Sequence, residues 1–361
     1  MKLPRRQFLH LAAGAAALPA VSRIARAQAY PTRPVRWIIG FPAGGGSDVL
    51  ARLLGQWLSE RLGQPFVIEN RPGAGTNIAA EAVVRAPPDG YTLLQASTPA
   101  AINATLYDKL NFNFIRDIVP VAGIIRSTYV MAVQPSFPAK TVREFIAYAK
   151  ANPGKINMAS PGNGTPQHLS GELFRMMAGV NMIHVPYRGD APALTDLLAG
   201  QVQLCFSGLV SSIEYIRTGK VRALAVTSAK PVETVPDIPT VGDFVPGYEA
   251  SGWQGIGAPK STPIEIVEKL NKETNAALAD PKMKQRLLDL GGVPMPLTPA
   301  AFGQLIADDT EKWAKVIRAA KVRVGSLGSH SITAVTRMRM SAGRPLSGKP
   351  DIGADMDEGR F

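Results

Sequence analysis

Apolar residues recur along this chain with two periods that take turns. The run Val35 to Ile39 predicts a strand, and Val49, Leu50, Leu53, Leu54, Trp57, Leu58 and Leu62 then recur at helical spacing. Phe66 to Ile68 opens the next strand, and Thr92 to Ala96, Ile156 to Ala159, Met182 to Val185, Val202 to Phe206 and Val221 to Val226 follow, each set off by a helix or turn. Such alternation predicts an α/β protein with largely parallel sheets covered on both faces. Helix starts are legible too: Thr141 with Glu144 has capping-box spacing, Thr165-Pro166 and Thr298-Pro299 place a cap before a first-turn proline, and Thr262-Pro263 with Glu265 does both.

Two extended runs lack the helical period, Tyr129 to Gln134 and Tyr248 to Pro259. Read as crossings between lobes, they make the first lobe discontinuous: residues 28–130 with 250–324, and 131–249 for the second. A cleft between two such lobes suits a small ligand.

Three β-type runs end in a glycine-rich turn followed by a helix: Phe41 to Asp48, Arg71 to Asn77, and Ser160 to Pro166. Backbone N–H groups in such turns, and in a helix's first turn, favour an anion. Gly44, Gly45 and Gly46 let the backbone approach a ligand with no Cβ between. Asp48 either caps the helix that follows or accepts from a ligand-bound water. The second turn offers N–H groups around Ala74 and the Thr76 hydroxyl, or is simply a tight connection. Ser97 and Thr98 end a strand, where open α/β sheets bind ligands, and Thr98 is preferred. Across the cleft, Ser160, Asn163, Gly164 and Thr165 hold hydroxyl, amide and first-turn N–H donors. His168 reads first as structural and second as a ligand contact; His184 reads as structural. Arg188 is either a bidentate carboxylate partner or a solvated cation. Phe206 and Ser207, with Phe41 opposite, either line the pocket or belong to the core.

The ends of the chain change the charge picture. Arg5-Arg6, Phe8-Leu9, a short apolar stretch and Ala25, Ala27 and Ala29 read as an export signal over residues 1–27, with cleavage after Ala27 or Ala29. The paired arginines fit a twin-arginine route, with the general route as the alternative. Of the formal net charge of +12, Lys2, Arg5, Arg6, Arg23 and Arg26 carry five, so seven remain on the exported chain. These are scattered, without a basic run, which argues against nucleic-acid binding. No segment after the leader approaches the roughly 18 apolar residues a membrane span needs. The single Cys205 excludes an internal disulfide, and its apolar setting predicts a buried thiol. Residues 325–361 lose all periodicity and read as a disordered extension or a partner-binding tail.

Catalytic motifs are absent: there is no Gly-x-Ser-x-Gly, no phosphate-loop signature, no His-Glu-x-x-His and no Cys-x-x-Cys. Asp48 and Val49 stand where a dinucleotide fingerprint needs its last glycine. No catalytic residue, metal or cofactor is assigned.

Five segments in order, Phe41-Pro-Ala-Gly-Gly-Gly-Ser-Asp48, Glu69-Asn-Arg-Pro-Gly-Ala-Gly75, Pro88-Asp-Gly-Tyr-Thr-Leu-Leu94, Gly164-Thr-Pro-Gln-His-Leu-Ser-Gly-Glu-Leu-Phe174 and His184-Val-Pro-Tyr-Arg-Gly189, resemble the Bug-type substrate-binding proteins of tripartite tricarboxylate transporters. The resemblance runs from about Tyr30 to Val324. It implies the type II periplasmic-binding-protein architecture, two mixed sheets joined by a two-strand hinge, closing over a carboxylate-bearing molecule. The partners it implies are a small organic acid and the transporter's membrane subunits, with the protein itself a periplasmic monomer. Alternatives are a ligand sensor for a membrane kinase and a periplasmic hydrolase. Thr76 departs from the family, which often has a further glycine there, and residues after Val324 have no counterpart.

Overall fold

The computed structural model describes residues 30–324; the expected export signal and C-terminal extension lie outside the described residues. Strand and helix alternate first as β1 (Val35–Ile39), α1 (Gly46–Leu62), β2 (Phe66–Asn70), α2 (Asn77–Val84), β3 (Thr92–Ser97) and α3 (Pro99–Leu106). A short α4 (Phe114–Asp117) leads to β4 (Ile118–Ser127), which passes almost directly into β5 (Tyr129–Val133). The pattern then repeats as α5 (Val142–Ala151), β6 (Ile156–Ser160), α6 (Pro166–Ala178), β7 (Met182–Pro186), α7 (Asp190–Leu198), β8 (Leu204–Gly208), α8 (Leu209–Arg217) and β9 (Arg222–Val226). The chain returns through β10 (Gly252–Pro259) and finishes with α9 (Ile264–Ala279), α10 (Pro281–Asp289), β11 (Gly292–Pro294) and α11 (Pro299–Ala320).

Among the described residues there are two sheets, ordered β11-β4-β10-β3-β1-β2 and β7-β6-β8-β5-β9. Within each, three strands are parallel, β2-β1-β3 and β7-β6-β8. The sheets are mixed, as the resemblance implies and not largely parallel as the alternation alone predicts, because β10 runs against β3 and β4, and β5 runs against β8 and β9. The cause is the crossing itself. A strand leaving a sheet for the other runs with the parallel set, and one arriving must run against it; β5 and β10 are the arrivals. The carboxyl ends of β1, β2 and β3 therefore face those of β6, β7 and β8.

Leu50, Leu54 and Leu58 of α1 bury one helical face against Trp37 and Ile39, and Val267 and Leu270 of α9 join that cluster. The second sheet buries Val130, Cys205 and Val226 on one face. Thr141, Thr165 and Thr298 cap as their spacing predicts, each hydroxyl accepting a backbone N–H three residues on at 3.2 Å. Thr262 does not. Its hydroxyl donates to the Pro259 carbonyl at 2.7 Å, finishing the turn out of β10, and Pro263 takes the N-cap position of α9.

Gly255 of β10 is enclosed on both sides: an added Cβ would lie 2.3 Å from Phe302 Cζ and 2.5 Å from the Ala122 carbonyl oxygen. Backbone cannot yield as a side chain can, so Gly255→Ala is expected to lower stability by about 2 kcal/mol in chemical denaturation; an unchanged midpoint would contradict this packing.

Candidate functional site

Between the facing strand ends lies a cleft of about 490 Å³, lined from both lobes. The first sheet contributes Phe41, Ser47, Thr76, Ser97, Thr98 and Trp253; the second contributes Asn163, Gly164, Thr165 and Gln167. Three helices, α1, α3 and α6, begin at its wall.

The turn after β1 leaves Gly45, Gly46 and Ser47 at the start of the 17-residue α1, whose N-cap is Gly45 with no side chain over it. Asp48, expected as a cap or a ligand contact, instead braces the turn. Its Oδ2 accepts from Gly44 N–H and Arg52 Nε, both at 2.9 Å, and its Oδ1 from Asn70 Nδ2 at 3.0 Å. The Arg52 guanidinium, aided by the Gly44 and Asn70 donors, holds the carboxyl down at about 2 despite its burial.

In the second turn Gly73, Ala74, Gly75 and Thr76 all have positive φ, +81° for Thr76. A β-branched residue there is strained. The turn is held from α3, where Asn103 Nδ2 donates to the Gly75 carbonyl at 2.6 Å. Thr76 faces the cleft, and Gly40 makes room for it, since a Cβ on Gly40 would lie 2.5 Å from Thr76 Cβ. Ala74 is exposed on the turn's outer edge and does not line the cleft.

Thr98 lines the cleft, but its hydroxyl is already engaged. It accepts from Trp253 N–H at 2.7 Å while the Thr98 N–H donates to the Trp253 carbonyl at 3.1 Å. Trp253 is fixed at its other end by Nε1 donating to Asp309 Oδ2 at 2.7 Å, and Asp309 is paired with Lys312.

In the second lobe the turn after β6 consumes several donors expected to be free. The Ser160 hydroxyl is fully buried and bonds to His184 Nε2 at 2.7 Å, not to the cleft. Gly164 N–H donates to His168 Nδ1 at 3.0 Å, and the Thr165 hydroxyl donates to the Gly162 carbonyl at 2.8 Å. Asn163 Nδ2 donates to the Arg323 carbonyl at 2.7 Å, tying this turn to the chain beyond α11. The two imidazoles stack with centroids 3.6 Å apart, so both act as supports of the turn. Burial, then the neighbouring His168, pushes His184 down to about 2. Arg188 is exposed and off the cleft, and Phe206 and Ser207 are wholly buried, the serine hydroxyl bonded to Ser212 at 2.5 Å.

Residues not singled out from the sequence add to the wall, among them Leu106 at the end of α3, Tyr107 just after it, Tyr129 at the start of β5, and Trp253 and Gln254 of β10. Tyr129 and Trp253 sit in the two runs read as crossings, a signal that could have found them. Leu106 and Tyr107 carry no local signal. Among the described residues that line the cleft there is no Lys, Arg, His, Asp or Glu. An anion here meets only helix N-termini, backbone N–H groups and neutral side chains.

The sequence model of the tripartite tricarboxylate transporter family receptor (TctC) matches residues 50–322. The chain belongs to this family. Its relatives include Protein BugT of Bordetella pertussis, 36% identical over 295 residues, covering 81% of this chain and 90% of BugT. The R. palustris protein Rpa4515, solved with adipate, is 36% identical with a TM-score of 0.71, over 81% of this chain and 99% of that one. MatC from Rhodopseudomonas palustris, solved with bound malate, is 33% identical with a TM-score of 0.67, over 80% of this chain and all of MatC (100%). The match to this TctC receptor agrees with the glycine turns and the cleft.

Two outcomes test the geometry. Gly164 has φ +72°, and its Cβ would lie 2.5 Å from Leu106 Cδ2 in the opposite lobe. Gly164→Ala should therefore strain the turn and push the Leu106 side chain aside, lowering stability by about 1 kcal/mol in chemical denaturation; an unchanged midpoint would refute the contact. His184 titrates near its ordinary 6.5 only when unfolded, so stability should fall as pH drops from 6.5 toward 2. His184→Asn should flatten that decline by on the order of 2 kcal/mol at pH 4 in denaturant titrations; an unaltered slope would place the acid sensitivity elsewhere.

Proposed function

We propose that this TctC receptor is exported to the periplasm, captures a small carboxylate-bearing molecule between its lobes and delivers it to the membrane subunits of a tripartite tricarboxylate transporter. The observation that carries this reading is the neutral cleft at the meeting of three helix N-termini. A carboxylate is held there by dipoles already in place, with no buried cation to leave unpaired when the ligand departs. Adipate and malate on two relatives support the ligand class. The N-terminal residues support export, and among the described residues no helix is long and apolar enough to cross a membrane.

The lobe boundaries near residues 130 and 250 rest on the passage of β4 into β5 and the return through β10. A carrier, not an enzyme, fits the chemistry of the wall. The two histidines are occupied in supporting the turn, and burial pushes the Cys205 thiol up to about 12, away from thiolate reactivity.

Isothermal titration of the exported chain against di- and tricarboxylates and acidic amino acids should give a saturable heat for at least one. Gly45 has φ −76°, so a side chain there is tolerated by the backbone and would cover the first-turn donors of α1. Gly45→Leu is expected to weaken that binding at least about tenfold, whereas Arg188→Ala leaves it within about twofold. Silence toward the whole panel, or the reverse order of the two variants, would defeat the proposal.

A further inference from the structure

Behind the crossing strands lies a groove of about 930 Å³, larger than the cleft. Cleft and groove lie back to back. Arg126 and Thr128 line the groove, whereas Ser127 and Tyr129, which alternate with them along the same extended stretch, line the cleft. Successive residues of an extended chain point to opposite faces, so the passage from β4 to β5 separates the two spaces. Both lobes wall the groove: residues 228–233, after β9, on one side, and Lys284, Leu288 and Leu305 of α10 and α11 on the other. The partition is stiff. Trp253 Nε1, on the cleft side, donates to the buried Asp309 Oδ2 at 2.7 Å, and Lys312, on the groove side, bonds Asp309 Oδ1 at 2.8 Å and Glu249 Oε2 at 3.0 Å. A satisfied network of this kind passes a rotation on rather than absorbing it. Thr128 alone, in neither strand, joins β4 to β5. In this arrangement the lobes already meet across the cleft, where Asn163 Nδ2 donates to the Arg323 carbonyl at 2.7 Å and Leu106 lies against Gly164.

We infer that the groove is the counter-face of the cleft: parting the lobes at the cleft turns them about Thr128 and squeezes the groove, so the side chains that fill the groove, remote from the ligand, set how often the cleft opens and how tightly it holds an acid. The effect on affinity rests on the cleft being a carboxylate site. The coupling itself follows from two stiff lobes turning about one strand, where whatever widens one face narrows the other. Bulk added to the groove at its present width obstructs opening, whichever lobe it comes from. A ligand held by both lobes gains from every loss of the open form, so apparent affinity rises. Ala229 is exposed on the groove wall of one lobe, and Val293 of β11, 40% exposed, on that of the other. Each has room for a larger side chain, with Pro231, Leu288 and Pro294 to pack against.

Opening can be read without any ligand. Ser97→Cys places a thiol in the cleft at a position 4% exposed, while the native Cys205 is wholly buried and reports unfolding alone. The exported chain carrying this reporter is labelled with a bulky maleimide. Ala229→Trp and Val293→Trp should each slow labelling at least about threefold, whereas Arg188→Trp, exposed and lining neither space, leaves the rate unchanged. Without the reporter, the same two groove variants should bind whichever of malate, adipate and citrate the unaltered chain binds at least about threefold tighter in isothermal titration. Should a tryptophan variant fail to fold, Ala229→Leu carries the same expectation in both measurements. Unchanged or faster labelling, opposite effects from the two lobes, or unchanged affinity for an acid that the unaltered chain binds would overturn the inference. Silence of all three acids with labelling slowed as expected would instead bring down the carboxylate reading and uphold the coupling.

Discussion

Thr98 and Thr227 each grip, by hydroxyl and backbone together, the residue at which a strand has just crossed from the other lobe. Thr98 takes Trp253 N–H at 2.7 Å and gives its own N–H to the Trp253 carbonyl at 3.1 Å; Thr227 does the same with Tyr129 at 3.1 and 2.9 Å. Both threonines are buried. In low dielectric such paired bonds are strong and leave no polar group unpaired. They set the point from which each arriving strand runs against the parallel set. That opposition turns the carboxyl ends of β1 to β3 toward those of β6 to β8, and every feature of the cleft depends on it.

The same clamps explain the character of the wall. Tyr129 and Trp253, held at the crossings, form an apolar floor, and the strand ends above it deliver the starts of α1, α3 and α6. Charge is kept at a distance: Asp48 is neutralised by Arg52, and Asp309 by Lys312 beneath the Trp253 indole. Fixed dipoles need no reorganisation when a carboxylate arrives, and they do not hold it as a desolvated cation would. That restraint suits the reversible capture proposed for the cleft. Across the cleft, the turn at Gly164 meets Leu106 with no Cβ between them.

The glycine turns were legible because glycine is the residue that tolerates the left-handed backbone they need, as at Gly44 and Gly164. Thr76, the departure from the family pattern, adopts φ +81° all the same, so the turn's shape is imposed by Asn103 and Gly40 as well as by local preference. Side-chain roles were less legible. Ser160, Thr98 and Asp48 carry the right chemistry at the right strand ends, yet each is spent inside the scaffold, on His184, Trp253 and Arg52. A hydroxyl or carboxylate near a site has as many backbone suitors as ligand ones.

The sequence by itself determined the alternation of strands and helices, the anion-seeking turns and the two crossings, because periodicity, glycine and capping chemistry are local properties of the chain. Tertiary structure alone decided that Leu106 and Tyr107 stand at the cleft and which donors remain free there. Those outcomes depend on which segments meet across more than a hundred residues, as Thr98 meets Trp253, and no local pattern encodes the partner that claims a hydrogen bond first.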